Sequence, residues 1–186
     1  MSTAKPITGM TDYRRAFISG GTYFFTVNLA DRRKPLLVEH IGALRNAFRY
    51  TRERHPFALE AVVVLPDHLH AIWTLPEGDA DFPLRWRLIK AMFSRALPAG
   101  EIVSKSRARR AERGIWRRRY WEHAVRDSVD FNRHLDYVHF NPVKHGYVSA
   151  PKDWPYSSFR QAVRSGWYPA AWSSDAAAAE TGFGER

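Results

Sequence analysis

His68 and His70 stand two positions apart in the stretch Leu65-Pro66-Asp67-His68-Leu69-His70-Ala71-Ile72-Trp73. Side chains of a strand alternate between its faces, so two imidazoles at this spacing point the same way, while Leu69, Ala71 and Trp73 point the other. A neutral imidazole offers a lone pair at neutral pH, and two on one strand face can share a single metal ion. A lone His-x-His pair also arises by chance, as two half-buried histidines at a sheet edge. A second stretch far downstream raises its interest: Tyr137-Val138-His139-Phe140-Asn141-Pro142-Val143-Lys144. Tyr137 and Asn141 are four apart and share one face of a helix. An amide oxygen is a hard ligand suited to Mg²⁺ or Mn²⁺. Two histidines and one oxygen make a three-ligand site with open positions for water and phosphate oxygens. Tyrosine is a weak nucleophile at its free pKa of about 10, but beside a metal that polarises a bound phosphate its attack becomes feasible.

The elements that must position these groups are legible as periodicity. Residues 58–65 and 68–75 are apolar, β-branched runs around the turn signal Pro66-Asp67, and predict a hairpin. Asp67 is a turn former there, and Trp73 is expected in the core. Residues 22–29 predict a first strand and 119–125 a fourth. Apolar residues at helical spacing predict helices over 36–54 and 82–97. A third helix is expected from an N-cap at Asp127 to Asn141, ended by Pro142 because the residue before proline is pushed out of the α region. His139 is expected on the face opposite Tyr137, and His134 is a candidate to face the site. The order strand, helix, strand, strand, helix, strand, helix is that of an α+β ferredoxin-like αβ sandwich, an antiparallel sheet with helices on one face. The histidine pair falls on a central strand, expected on the open face of that sheet, and the tyrosine on a helix.

Length and composition set the class. A chain of 186 residues, 45% hydrophobic and 14% aromatic, is expected to be one globular domain over 1–186. The expected exceptions are a basic arm within 1–20 and a disordered tail over 174–186. Cysteine is absent, which excludes disulfides and thiolate metal sites. No run approaches a membrane span, so a cytoplasmic protein is expected. The net charge of +10 points to a polyanion, nucleic acid before anionic membrane. Lys105, Arg107, Arg109, Arg110, Arg113, Arg117, Arg118 and Arg119 crowd one segment opposed only by Glu112. Trp116, Tyr120 and Trp121 are interleaved with them, and aromatics beside arginines make stacking surfaces for unpaired bases.

Taken together, Pro66-Asp67-His68-Leu69-His70 and Tyr137 to Lys144 resemble the REP-associated tyrosine transposases, single-tyrosine members of the HUH superfamily of single-strand DNA endonucleases. The likeness extends over roughly residues 13–168. It includes Tyr13-Arg14-Arg15, Phe25-Thr26-Val27-Asn28, Trp116 to His123 and Trp154-Pro155-Tyr156-Ser157-Ser158. The resemblance implies that His68, His70 and Asn141 hold a divalent ion, Mg²⁺ or Mn²⁺, and that Tyr137 attacks DNA. It further implies cleavage and rejoining of single-stranded DNA at hairpin-forming palindromic repeats, through a 5′-phosphotyrosine link, by a monomer or homodimer. Arg14, Arg15, Arg107, Arg109, Arg110, Trp116, Arg117, Arg118, Arg119 and Lys144 are the expected DNA contacts, most of the affinity coming from phosphates. Two other readings fit the charge: a non-catalytic module that grips structured nucleic acid, and a metal-dependent phosphoesterase that uses water. The first does not need Tyr137, His68, His70 and Asn141 together. The second usually needs more carboxylate ligands than stand near these histidines.

Overall fold

The structure is a computed structural model, and it describes residues 16–100, 104–110 and 112–173. Arg14, Arg15 and the tail 174–186 lie outside the described residues. Strand β1 spans Thr22–Asn28. A short helix α1, Leu36–Glu39, leads into α2, Ile41–Arg54. The hairpin follows as β2, Ala58–Val64, and β3, His68–Thr74. Helix α3 is Phe82–Ala96 and α4 is Lys105–Ala108. Then come β4, Trp121–Ala124, the long helix α5, Ser128–Lys144, and α6, Phe159–Arg164. The one expected helix over 36–54 is two, parted at His40. Among the described residues no helix is long and apolar enough to cross a membrane.

All strand pairs are antiparallel, in the order β2-β3-β1-β4. This is the ferredoxin-like order, and β3 with its two histidines is central. Period-two alternation assigns the side chains. Tyr23, Phe25 and Val27 of β1 join Leu69, Ala71 and Trp73 of β3 in a core closed by α2 and α3. Phe24, Ala61, Val63 and Ile72 form a second core with Leu135, Tyr137 and Val138 of α5 and Phe159 of α6.

This second core corrects the expected open face. The sheet face that carries His68 and His70 is covered by α5, and both histidines are buried. The cause lies in β1, whose residues from Tyr23 to Asn28 are buried on both sides. A face that presents Phe24, Val63 and Ile72 must be covered.

Helix α5 also runs on through Pro142 to Lys144 instead of ending at Asn141. Pro142 stands in the last turn, where its missing N–H removes one helical hydrogen bond and its fixed φ is compatible with helix. Asp127 caps the other end as expected, accepting from the Asp130 N–H at 2.8 Å.

Candidate active site

Strand β3 and helix α5 face each other across the second core, and each brings a pair of groups. His68 and His70 have ring centroids 5.0 Å apart, nearly perpendicular at 84°. Both rings are fixed through Nδ1. His68 Nδ1 lies 2.7 Å from Asp67 Oδ1, and Asp67 Oδ2 accepts from Arg32 Nε at 2.5 Å. His70 Nδ1 lies 2.9 Å from Thr26 Oγ1. Thr26 is the cross-strand partner of His70 in the β1–β3 register, which places the hydroxyl there. An imidazole held at Nδ1 presents Nε2 as its ligating atom, the arrangement by which outer partners orient metal ligands. His68 Nε2 is buried with no hydrogen-bond partner among the described residues. A buried polar atom of that kind is costly and calls for a ligand.

From α5, the Tyr137 ring packs edge-on against His70 at 5.2 Å and against Phe24 at 5.9 Å. Asn141, one turn on, is wholly buried. A further turn brings Lys144, whose Nζ donates to the Tyr137 hydroxyl at 3.4 Å and lies 4.7 Å from its ring centre. His145 follows, its ring 5.3 Å from that of His68. Tyr137 and the two histidines therefore meet across the second core, and Asn141 is buried one turn beyond the tyrosine.

The electrostatics favour neutral rings at His70 and His145. Burial, reinforced by the charges of His68, His145, Lys144 and Arg32, holds the His70 pKa well below its usual value. Burial and the same kind of neighbours hold His145 at about 4. Burial lowers Lys144. Burial would raise the Asp67 carboxyl, but the hydrogen bonds and charges of His68 and Arg32 outweigh it and hold it at about 2.

No protein-family model matches the chain. It is 46% identical over 166 residues to the REP-associated tyrosine transposase of Escherichia coli K12, an alignment covering 89% of this chain and 93% of the relative. A Haemophilus influenzae protein assigned to the same family is also 46% identical, over 89% of this chain and 95% of its own length. The chain belongs to the REP-associated tyrosine transposases. A solved structure of a REP-associated tyrosine transposase bound to a REP hairpin superposes with a TM-score of 0.83 at 45% identity, covering 95% of this chain and 98% of that one.

Other residues of this family member fall less simply. Arg109, Arg110, Arg117, Arg118 and Arg119 are exposed, and Arg107 is half-buried. The segment they occupy is tied to the site end of the sheet. Arg117 N–H donates to the Asn28 carbonyl at 3.0 Å, Trp116 bridges Leu29, and Asn28 is paired with His68. Trp116 is not the expected stacking surface. It is buried, packs on Phe93 at 5.3 Å and donates from Nε1 to the Lys90 carbonyl at 3.2 Å. An indole is larger and more apolar than its arginine neighbours, so the core takes it and leaves them to solvent. Lys144 stands on the tyrosine, its Nζ at the Tyr137 hydroxyl.

His139 is buried on the far side of α5 against Phe159 and Tyr168, as its packing role required, and its Nε2 lies 3.0 Å from Ser158 Oγ. His134 turns from the site to a second cluster. His123, Asp130 and His134 have ligating atoms all within 4.8 Å of one another, a spacing that a metal could bridge. In this structure Asp130 Oδ2 accepts from Arg126 Nε at 3.0 Å and lies 2.7 Å from His123 Nε2, while His134 Nδ1 lies 2.7 Å from the Asp130 carbonyl. These bonds join β4 to α5.

Sequence reasoning missed three partners of the site. Asp67 carried a signal as the neighbour of His68 but was read as a turn residue. Thr26 looks like any strand threonine, and only the register reveals it. Arg32 was one of several cations in a basic loop.

Proposed function

We propose that this protein cleaves and rejoins single-stranded DNA at hairpin-forming palindromic repeats, with Tyr137 as the nucleophile. The observation that carries the reading is the packing of Tyr137 on His70, with the Lys144 ammonium at its hydroxyl. A lone core tyrosine would have no need of a cation beside a histidine pair.

In the proposed step the Tyr137 oxygen forms a bond to the scissile phosphorus. The bond from phosphorus to the 3′-oxygen breaks, and that oxygen takes up a proton. The products are a 5′-phosphotyrosine link and a free 3′-hydroxyl. Rejoining is the reverse attack by a 3′-hydroxyl, and no nucleotide cofactor is consumed. Lys144 stabilises the phenolate that forms as the phenol proton leaves. Because Tyr137 is only 1% exposed, the phosphate reaches it by engaging or displacing Lys144. A divalent ion, Mg²⁺ or Mn²⁺, held by His68, His70 and Asn141 would supply Lewis-acid polarisation and orientation of the phosphate. The exposed arginines at 109, 110 and 117–119, with Arg107, hold the hairpin and its unpaired flank through phosphate contacts.

The test is to incubate the protein with a labelled hairpin from its own genomic neighbourhood, with and without divalent metal, and to run a denaturing gel. A metal-dependent adduct that disappears in Tyr137→Phe is expected. Tight binding with no adduct in either Mg²⁺ or Mn²⁺ would leave a structured-DNA binding module in its place. An adduct that survives the substitution would move the nucleophile to another tyrosine.

A further inference from the structure

We propose that His123, Asp130 and His134 form a zinc site, separate from the proposed nuclease centre, that clamps the edge strand β4 to helix α5. The inference stands whether or not His68, His70 and Asn141 hold an ion.

Position comes first. The three residues fall in the short stretch 123–134, where β4 turns directly into α5. His123 and Trp121 are two apart on β4 and share the face toward α5, their rings parallel at 5.9 Å. Asp130 and His134 are four apart on α5 and share one face of its first turns. The His123 and His134 rings lie 4.7 Å apart, stacked at 18°. The Asp127 cap, which accepts from the Asp130 N–H, fixes the backbone that carries the carboxylate.

Distance comes second. The ligating atoms all lie within 4.8 Å of one another. Each carboxylate oxygen faces one ring: Asp130 Oδ2 is 2.7 Å from His123 Nε2, and Oδ1 is 3.3 Å from His134 Nδ1. Zinc holds nitrogen and oxygen at about 2.0–2.2 Å, which sets neighbouring ligand atoms of a tetrahedral ion about 3.3–3.5 Å apart. The His134 pair is already at that spacing. The His123 pair must open by about half an ångström, and the His123 side chain, 27% exposed, is free of the packing that would resist it. Arg126 competes for the carboxylate, its Nε 3.0 Å from Oδ2, but its side chain is 72% exposed and can leave for solvent.

Chemistry comes third. Two imidazoles and one carboxylate are a donor set that suits zinc, whereas Mg²⁺ keeps a shell of oxygen ligands and waters. The fourth position falls to water from the exposed side of His123. The clamp bears on the nuclease centre through packing alone. The Phe24 ring lies 4.8 Å from His134, 5.5 Å from His70 and 5.9 Å from Tyr137.

The experiment uses Zn²⁺ as probe and reads binding and melting rather than turnover. The full chain carrying His68→Ala, which removes a proposed ligand of the other centre, is stripped of metal and titrated by calorimetry. One zinc per chain is expected, with the ¹⁵N ring signals of His123 and His134 moving together. At a hundredfold over its Kd, zinc should raise the melting midpoint by about 5–10 °C. Adding His123→Gln leaves a donor for Asp130 but no imidazole; affinity should fall by more than about tenfold and the rise in midpoint should vanish. Adding Arg126→Ala instead removes the competitor and should tighten zinc binding. If His68→Ala disturbs the fold, the wild type should bind one zinc more than His123→Gln alone. Absence of zinc binding in folded His68→Ala protein, or binding there that His123→Gln leaves unchanged, would overturn the clamp, and neither result touches the assignment of Tyr137.

Discussion

Two helices cover one face of the four-stranded sheet and one long helix covers the other, and the side chains they trap differ in kind. Against α2 and α3 the strands present aromatic rings: Trp73 stacks on Trp86 at 4.3 Å and packs on Phe57 at 4.2 Å, with Phe25 and Phe48 around them. Against α5 the same strands present Thr26, Asn28, His68 and His70, and the helix returns Tyr137, Asn141, His134 and His139, all buried. Apolar burial contributes about 25 cal/mol per Å². A buried polar group costs about 1–3 kcal/mol when its partner is missing. The α2/α3 face is therefore the more purely apolar of the two, while the α5 face sets polar groups among the apolar residues Phe24, Val63 and Ile72. The device is the period-two alternation of β1 and β3, which sends consecutive residues to opposite purposes.

This division is sharpest at its extremes. Tyr137→Phe should abolish the covalent adduct, a loss beyond about 10³-fold. Its effect on stability should stay within about 1.5 kcal/mol, one hydrogen bond from Lys144 being removed. Trp73→Ala should do the reverse. It leaves a cavity among Phe25, Phe57 and Trp86 and should lower unfolding free energy by about 3–5 kcal/mol in urea, without touching the proposed ligands or nucleophile. A Trp73→Ala protein as stable as the wild type would show that the two faces are not specialised as argued.

Acid separates the faces by another route. The histidines with lowered pKa all lie on the α5 side: His70, His134 and His139, which are buried, and the half-buried His145. Burial holds His139 at about 4, against a usual value near 6.5. A folded-state pKa below the unfolded one means that the unfolded chain binds more protons between these values. Stability is then complete above about pH 6.5 and falls as pH drops toward about 4. His139 alone accounts for about 3 kcal/mol of that fall. His139→Gln in metal-free protein should flatten the dependence of urea midpoint on pH, and amides of α5 should lose exchange protection before those of α2 and α3. Equal slopes in the two proteins would remove His139 from the account.

Local patterns were the part of this molecule that could be read in advance. Alternation in β1 and β3, the hairpin turn, the N-cap at Asp127 and the four-residue spacing of Tyr137 and Asn141 each depend on a few neighbouring residues. They delivered the strand order, the central place of His68 and His70, and the approach of Tyr137 to that pair. What escaped depends on contacts far apart in the chain. That α5 closes over the histidines is a pairing of residues some seventy positions apart, for which spacing carries no signal. Trp116 reads as a stacking surface beside its arginines, yet volume and hydrophobicity draw it into the core. Pro142 is a helix breaker by local rules, and packing of α5 on the sheet overrides it. Thr26 acquires its role only through the register that sets it opposite His70.

Thr26 also offers the finest test of the contrast between the faces. Its hydroxyl lies 2.9 Å from His70 Nδ1, is wholly buried, and stands between a structural strand and a site ring. Thr26→Val keeps the branched shape and β propensity, so the α2/α3 core, on the other side of the strand, is undisturbed. The substitution removes the group that fixes which His70 nitrogen is presented and how the ring is turned. Loss of such an outer partner typically costs about 10–100-fold in metal affinity. The expected result is weaker Mn²⁺ binding in that range, with Tyr137 adduct formation recovered at higher metal concentration. Stability should change by no more than about 1–3 kcal/mol, the cost of leaving His70 Nδ1 without its partner. An unchanged Mn²⁺ affinity would mean that packing against Phe24, stacked on the ring at 5.5 Å, is enough to orient His70. The strand register would then position the histidine through shape rather than through a hydrogen bond.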